Sequence, residues 1–481
     1  MKKTLFVIIL VLIYSSVSGQ NTRITSLGGM TIALDDPDLS LNLYDYGKNP
    51  AWLINDETST WLKIMPSASN STGDYRRKYD FEKQQLYDLT FTGVKTLGTK
   101  GTFLGSASYA YDNRENVYRS LKYNTYDGEA SFMVDTMKGD FIYNGPKVGF
   151  MYSLELMPGF LFGVSANYEL LDGLKQVYSN AKTIYREVNG KVGFGYIASS
   201  DIVVGLNLEL FDTQEIIEPK NLEALDVEIY SFRGETFYLQ QTSSTLQEKV
   251  RKKGIKLTPQ LYLRPLENFE VALQTSYATH NSKIYIGKST LKEFEDCYSD
   301  FKDIEFGLKA KYKPFPNLTA GLNVNYAEYD NWSKNSSVNL LTWEWNVKKA
   351  DAGLGITYQF KEPGLLVGAE YVFGSDKADS SKYIDYRFSN LSSVNHFVKA
   401  GMELIISETL TLRAGYNIGF IEHDILVGGK DVSLTNYSIG GGMMFGKFNL
   451  NLSVHYTNKE SDNKLSRSYL GANAEIMLFS F

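Results

Sequence analysis

Four histidines, His280, His396, His423 and His455, and a single cysteine, Cys297, are the side chains of this 481-residue chain best suited to hold a metal or attack a substrate. The histidines fall on separate segments and lack the short spacings that bring ligands together on one ion. His423 and Asp424 are adjacent and resemble a base with its orienting carboxylate. Neighbouring residues of a strand point to opposite faces, however, so a working dyad needs partners from elsewhere. Cys297 has no second thiol to pair with and is expected in a loop without a neighbouring base. No nucleophile elbow or phosphate-cradling glycine loop stands between a strand and a helix. The expectation is no enzyme, no cofactor and no metal site.

Polar residues do recur, at alternate positions. In Phe448 to Tyr456 the order Phe-Asn-Leu-Asn-Leu-Ser-Val-His-Tyr puts the apolar side chains on one face of a strand and Asn449, Asn451, Ser453 and His455 on the other. The polar parity of similar segments holds Glu169, Glu209, Glu270, Glu370 and Arg413, together with many glycines. Such a face is either a solvated surface or the lining of a lumen. Glycine within a strand is tolerated where another backbone or a ligand comes close, so a glycine-rich lumen face predicts something packed inside.

The elements that carry these faces repeat. Phe103 to Tyr111, Phe160 to Tyr168, Phe269 to Tyr277, Leu318 to Tyr326 and Phe448 to Tyr456 each begin on a large apolar residue and reach Tyr eight positions later on the same face. Eight steps of ~3.3 Å at a tilt of ~40° cover about 20 Å, close to the ~25 Å apolar band of a membrane barrel. Short turns such as Met157-Pro158-Gly159 and Gly446-Lys447 precede these segments, and long polar connections such as 112–146, 213–255 and 279–302 follow them. Short turns at one end and long loops at the other mark outer-membrane barrels. Eight such hairpins with an entering and a closing strand predict an all-β, antiparallel transmembrane barrel of about 18 strands (14 to 18), with both termini periplasmic. The basic run Lys249, Arg251, Lys252 and Lys253 is expected in an extracellular loop, where it can meet lipopolysaccharide phosphates.

Composition agrees: 34 Tyr, 27 Phe and 40 Gly against 11 Pro is a strand-rich balance. Lys2 and Lys3, an apolar run from Leu5 to Tyr14 and small residues to Gly19 give 1–19 the order of a secretory signal peptide. The formal charge of −6, or −8 once Lys2 and Lys3 are removed, argues against a nucleic-acid partner. Residues 20–57 do not alternate and form an N-terminal plug before the barrel of 58–481.

Within that plug, Leu27-Gly28-Gly29, Ala33 with Asp35-Asp36, and Asn49-Pro50-Ala51 resemble the N-terminal hatch of the FadL-like outer-membrane barrels, a superfamily of fatty-acid and aromatic-hydrocarbon channels that also includes the PorV and PorQ barrels of type IX secretion. The gap from Asp36 to Asn49 and the Trp at 52 depart from that pattern. The resemblance implies a plugged channel in a Gram-negative outer membrane that takes up hydrophobic small molecules, or a PorV-like barrel that binds or shuttles secreted protein cargo. Its implied partners are outer-membrane lipid, lipopolysaccharide and the barrel-assembly machinery, the last reading the C-terminal Met477, Phe479 and Phe481. A β-rich surface protein outside any membrane is the remaining alternative.

Overall fold

The computed structural model describes residues 49–56, 59–98, 101–129, 131–176, 179–220, 228–233, 237–241, 247–287, 294–362, 364–384 and 386–479. The signal segment 1–19 and the motif residues Gly28, Gly29, Asp35 and Asp36 lie outside them. A 3-10 turn at Pro50–Trp52 and a one-turn helix α1 (Leu53–Asp56) precede the strands. In chain order these are β1 (Trp61–Gly73), β2 (Lys83–Thr96), β3 (Gly101–Ser120), β4 (Ser131–Met157), β5 (Phe160–Lys175), β6 (Lys182–Ser199), β7 (Ile202–Glu218), β8 (Ile229–Arg233), β9 (Phe237–Gln241) and β10 (Gln247–Leu266). They continue as β11 (Phe269–Gly287), β12 (Phe294–Phe315), β13 (Leu318–Asn335), β14 (Leu340–Phe360), β15 (Gly364–Lys382), β16 (Arg387–Ser407), β17 (Leu410–His423), β18 (Lys430–Phe445), β19 (Phe448–Glu460) and β20 (Ser466–Phe479).

Eighteen of them close an antiparallel barrel. Consecutive strands pair from β1 to β7 and from β10 to β20, β7 pairs with β10, and β20 returns to β1. The remaining two, β8 and β9, form a small hairpin that pairs with the start of β4. Closure leaves no wall strand with an unpaired edge, the condition for a sheet to sit in hydrocarbon.

Along β19, Phe448, Leu452, Val454 and Tyr456 are exposed on the outside while Asn449 and Asn451 are buried within. The same alternation exposes Tyr109 and Tyr111 on β3 and Tyr371 and Phe373 on β15. The molecule is thus apolar outside and polar inside, the reverse of a soluble sandwich.

Three expectations need correction. The long connections are mostly tall hairpins, because β3 runs to Ser120, β4 starts at Ser131, and β11 and β12 reach Gly287 and Phe294. Beyond the membrane both faces of a strand meet water, so the apolar alternation stops while the backbone ladder continues. The basic run 249–253 therefore lies in β10 rather than in a loop, where Arg251 and Lys253 sit 2.8 and 3.6 Å from Asp212 of β7. Cys297 likewise lies in β12, buried, with its Sγ 2.7 Å from Ser131 Oγ.

Three prolines interrupt the ladders. Pro66, Pro146 and Pro259 have no N–H to give, and two rungs are missing beside each: between β1 and β20, β4 and β5, and β10 and β11.

Candidate functional site

Residues 49–56 lie against the inner face of the wall. Asn49 caps the 3-10 turn by accepting a hydrogen bond from Ala51 N (3.0 Å), and its Nδ2 donates to Gln260 Oε1 (2.9 Å) and to the carbonyl of Phe194 (3.3 Å). Gln260 Oε1 also accepts from Trp52 Nε1 at 2.8 Å, and Ser153 Oγ donates to Ala51 O at 2.8 Å. The wall beneath is glycine: a Cβ at Gly163 or Gly193 would collide with Asn49, Pro50 and Ala51, and one at Gly195 or Gly205 would collide with the Trp52 indole. Leu161, Val203, Tyr262 and Ala272 complete an apolar seat around Ala51 and Trp52. Glycines of β5, β6 and β7 thus make room for a chain segment on the polar side of the sheet.

A second insert comes from the other end of the barrel. The β3–β4 connection, 121–129, reaches across the interior to the strands on the far side. Glu215 of β7 accepts from Tyr123 N, Lys252 of β10 donates to Asp127 O (3.0 Å), Ser282 of β11 donates to Glu129, and Asn331 of β13 donates to Gly128 O. At its centre Lys122 Nζ lies 2.9 Å from Asp127 and 2.6 Å from Glu129. Burial alone would lower the pKa of Lys122, but the carboxylates of Asp127, Glu129 and Glu215 outweigh it and hold the ammonium above its ordinary value. Burial would raise Asp127, and the charges of Lys122 and Lys252 outweigh that too, so its carboxyl sits below the usual range. Leu121, Met133, Phe141, Tyr143, Ile217 and Ile229 pack into an apolar cluster beside this lid.

Glu169, Glu209, Glu270, Glu370, Arg413, Asn449 and Asn451 lie on the polar face of the wall strands, where neighbouring strands mostly pair them. Glu169 meets Lys147 (3.1 Å), Glu209 meets Lys191 (3.3 Å), Glu370 meets Lys399 (3.4 Å) and Arg413 meets Glu403 (2.7 Å). Asn451 donates to Glu475 (3.3 Å), Glu270 is hydrogen-bonded to Tyr262, and Asn449 is buried. These pairs run between adjacent strands in register, so they tie the wall together rather than converge on one point. Inside β14 to β20 is a cavity of about 820 Å³, lined by charged and amide side chains together with apolar ones such as Phe397, Ile421 and Leu434.

His280 is stacked on Phe301 at 4.3 Å, His396 faces outward against Tyr371, and His423 and Asp424 serve different neighbours, with Asp424 accepting from Tyr75 at 3.1 Å. Sequence reasoning missed Gln260, Ser153 and the whole lid. Gln260 carries the inward parity of β10, but nothing in a single sequence pairs it with residues 208 and 211 positions away.

A closed eighteen-strand antiparallel barrel with an apolar exterior and a polar inner wall is the fold of the outer-membrane β-barrels. The chain belongs to the family described as a family of unknown function (DUF6850), which matches residues 50–478. Among curated proteins none matches. Among solved structures, the copper transporter OprC aligns at 7% identity with a TM-score of 0.50, covering 84% of this chain and 62% of that one. The Pseudomonas putida toluene transporter TodX aligns at 13% identity and TM-score 0.34, covering 91% and 93%, and the CymD monoaromatic hydrocarbon channel at 10% and 0.37, covering 92% and 94%. At these identities the likeness concerns fold, and the two hydrocarbon channels superpose too loosely to carry an argument.

Proposed function

We propose that this protein is an outer-membrane channel for small molecules in a Gram-negative bacterium, held closed by the segment 49–56 from the periplasmic side and by the 121–129 lid from the outside. The observation that carries the reading is the unequal filling of the interior. Both inserts bear on the wall between β4 and β13, while the β14–β20 side keeps a cavity of about 820 Å³. A barrel built only as a scaffold has no need of an open cavity in its interior. Lipid and lipopolysaccharide are the neighbours its exterior would meet.

Liposome swelling tests this reading. Vesicles carrying the native chain should swell slowly, and those carrying a chain without residues 20–57 and with Lys122→Met at least tenfold faster, both proteins keeping the heat-dependent gel migration of a folded barrel. No solute entry in either form would remove the channel reading.

A hydrophobic substrate, the second reading, draws on one feature. The missing rungs at Pro66, between β1 and β20, open onto an apolar outer groove of about 1310 Å³ bordered by Leu89, Ile439, Leu452, Ala472 and Ala474. An apolar molecule leaving sideways would find no polar lumen to cross there. A disulfide staple made with Met65→Cys and Glu475→Cys should abolish uptake of a monoaromatic probe such as toluene; unchanged uptake would refute the lateral route.

A further inference from the structure

The β14–β20 cavity combines a lining of balanced charge with buried polar atoms that have no partner among the described residues. Its three lysines, Lys349, Lys399 and Lys459, are matched by three aspartates, Asp351, Asp376 and Asp424, so the lining carries no net charge. The aspartates already accept hydrogen bonds, from Asn325 (2.8 Å), Asn395 (2.9 Å) and Tyr75 (3.1 Å). By contrast, Asn417 Oδ1, Asn436 Oδ1 and Ser438 Oγ are buried, line this cavity and have no hydrogen-bond partner among the described residues. Ser438 is only 3% exposed. Buried polar groups left unpaired are costly, and a polar ligand in this cavity would complete these three.

Register shows the pattern. Asn417, Asn436 and Thr457 stand opposite one another across β17, β18 and β19, forming a row of amides and a hydroxyl. On the next inward row to one side, Phe397 stands opposite Gly419, and the glycine lets the phenyl ring lie flat on the wall. On the next inward row to the other side, Ser438 stands opposite His455, whose imidazole lies flat over Gly471 and is stacked on Tyr469 at 5.2 Å. A polar row that both donates and accepts thus runs between two rings, Phe397 and His455, that line the cavity.

We propose that this strip is a binding site for a neutral saccharide of two or three rings. Sugar hydroxyls supply both donors and acceptors, matching the unpaired amide oxygens and the serine hydroxyl, and the apolar face of a pyranose sits on an aromatic ring without needing charge. A cation or anion would meet as many like charges as opposite ones, since the lining carries three lysines and three aspartates. A hydrocarbon would leave the orphaned groups unsatisfied, and the cavity is within the size range of small-molecule sites.

This site rests on the barrel's interior and not on conduction, so equilibrium binding tests it apart from the channel reading. Full-length protein in detergent micelles is mixed with maltotriose, cellotriose or xylotriose, and saturation-transfer NMR reports binding, with trialanine and p-xylene as the other arms. At least one trisaccharide should bind, and Phe397→Ala and Asn436→Leu should each weaken it tenfold or more while heat-dependent migration stays native. Preference for trialanine or p-xylene, no signal from any trisaccharide, or unchanged affinity in both variants would overturn the proposal. Should one variant lose its native migration, the other, with Asn417→Leu in place of the lost one, decides the matter by the same criterion. Saccharide binding without vesicle swelling would refute the channel while leaving this site intact.

Discussion

Gln260 takes two donors on one oxygen, from Asn49 and Trp52, and so joins two residues of the segment 49–56 to the wall. Replacing it by Leu leaves Asn49 its bond to Phe194 O but strips the Trp52 indole of the acceptor at 2.8 Å. An unpaired buried donor costs about 1–3 kcal/mol, or roughly a 5-fold to 150-fold more frequent release of the segment. Hydrogen exchange at the Trp52 indole should accelerate by that factor in Gln260→Leu, while heat-dependent gel migration stays native; an unchanged exchange rate would show that the apolar seat and the bonds to Phe194 O and from Ser153 hold the turn without Gln260. At this scale the sequence was only half legible. Parity alone turned Glu370, Arg413 and Asn451 inward, since a strand's faces are set by its period of two. Their partners were invisible, because Lys399 and Glu403 become neighbours of Glu370 and Arg413 only once the register between strands is known.

The β3–β4 lid is a separate mechanical element with its own electrostatics. Lys122 neutralises Asp127 and Glu129 in a buried setting, and Lys122→Met would leave those carboxylates without their near counter-charge. Breaking such a pair costs about 3–5 kcal/mol, more than a loop can spare without opening. Limited proteolysis of folded protein should therefore cut within 121–129 of Lys122→Met and not of the native chain. The pH dependence follows from the two shifts. Asp127 is depressed, so its contribution is complete above its unfolded pKa of ~3.9 and is lost as pH falls through the lower folded value. Lys122 is raised, so its contribution is complete below ~10.4 and fades only as pH rises through its higher folded value. The same proteolytic cut should thus appear in the native chain only below about pH 4 or at strongly alkaline pH; cutting at pH 6 would contradict the assignment. The tight turns at Gly159 and Gly446, with φ of 78° and 57°, were readable as turns because glycine is what such φ values favour. The lid was not, since its segment has no periodicity and its anchors come from strands far along the chain.

The whole molecule is held in place by what its outside meets. Leu452 is 53% exposed midway along β19, and Leu452→Arg would put a cation at the level of the hydrocarbon centre. The cost there is about 2–4 kcal/mol. Urea unfolding in lipid vesicles should show that loss for Leu452→Arg and much less for Ser466→Arg at the start of β20; equal effects would contradict the placement of the membrane belt. The architecture was legible from Phe448 to Tyr456 outward because lipid on one side and water on the other impose an alternation that no turn disturbs. Only where that solvent contrast ends, above the membrane, did strands pass for loops.

The closure between β1 and β20 carries a consequence in time. Ser71 stands opposite Tyr469, nearly the full length of the barrel-forming chain apart. Every other wall junction joins strands close in sequence or, for β7 and β10, separated by one hairpin. The closing junction has the greatest loop entropy to overcome and two rungs fewer to reward it beside Pro66. It is therefore the last to zip and the first to part. During assembly the half-built sheet exposes β1 and its growing edge together, and a chain cut short before β20 would keep both exposed indefinitely, as a template for aggregation rather than a smaller pore.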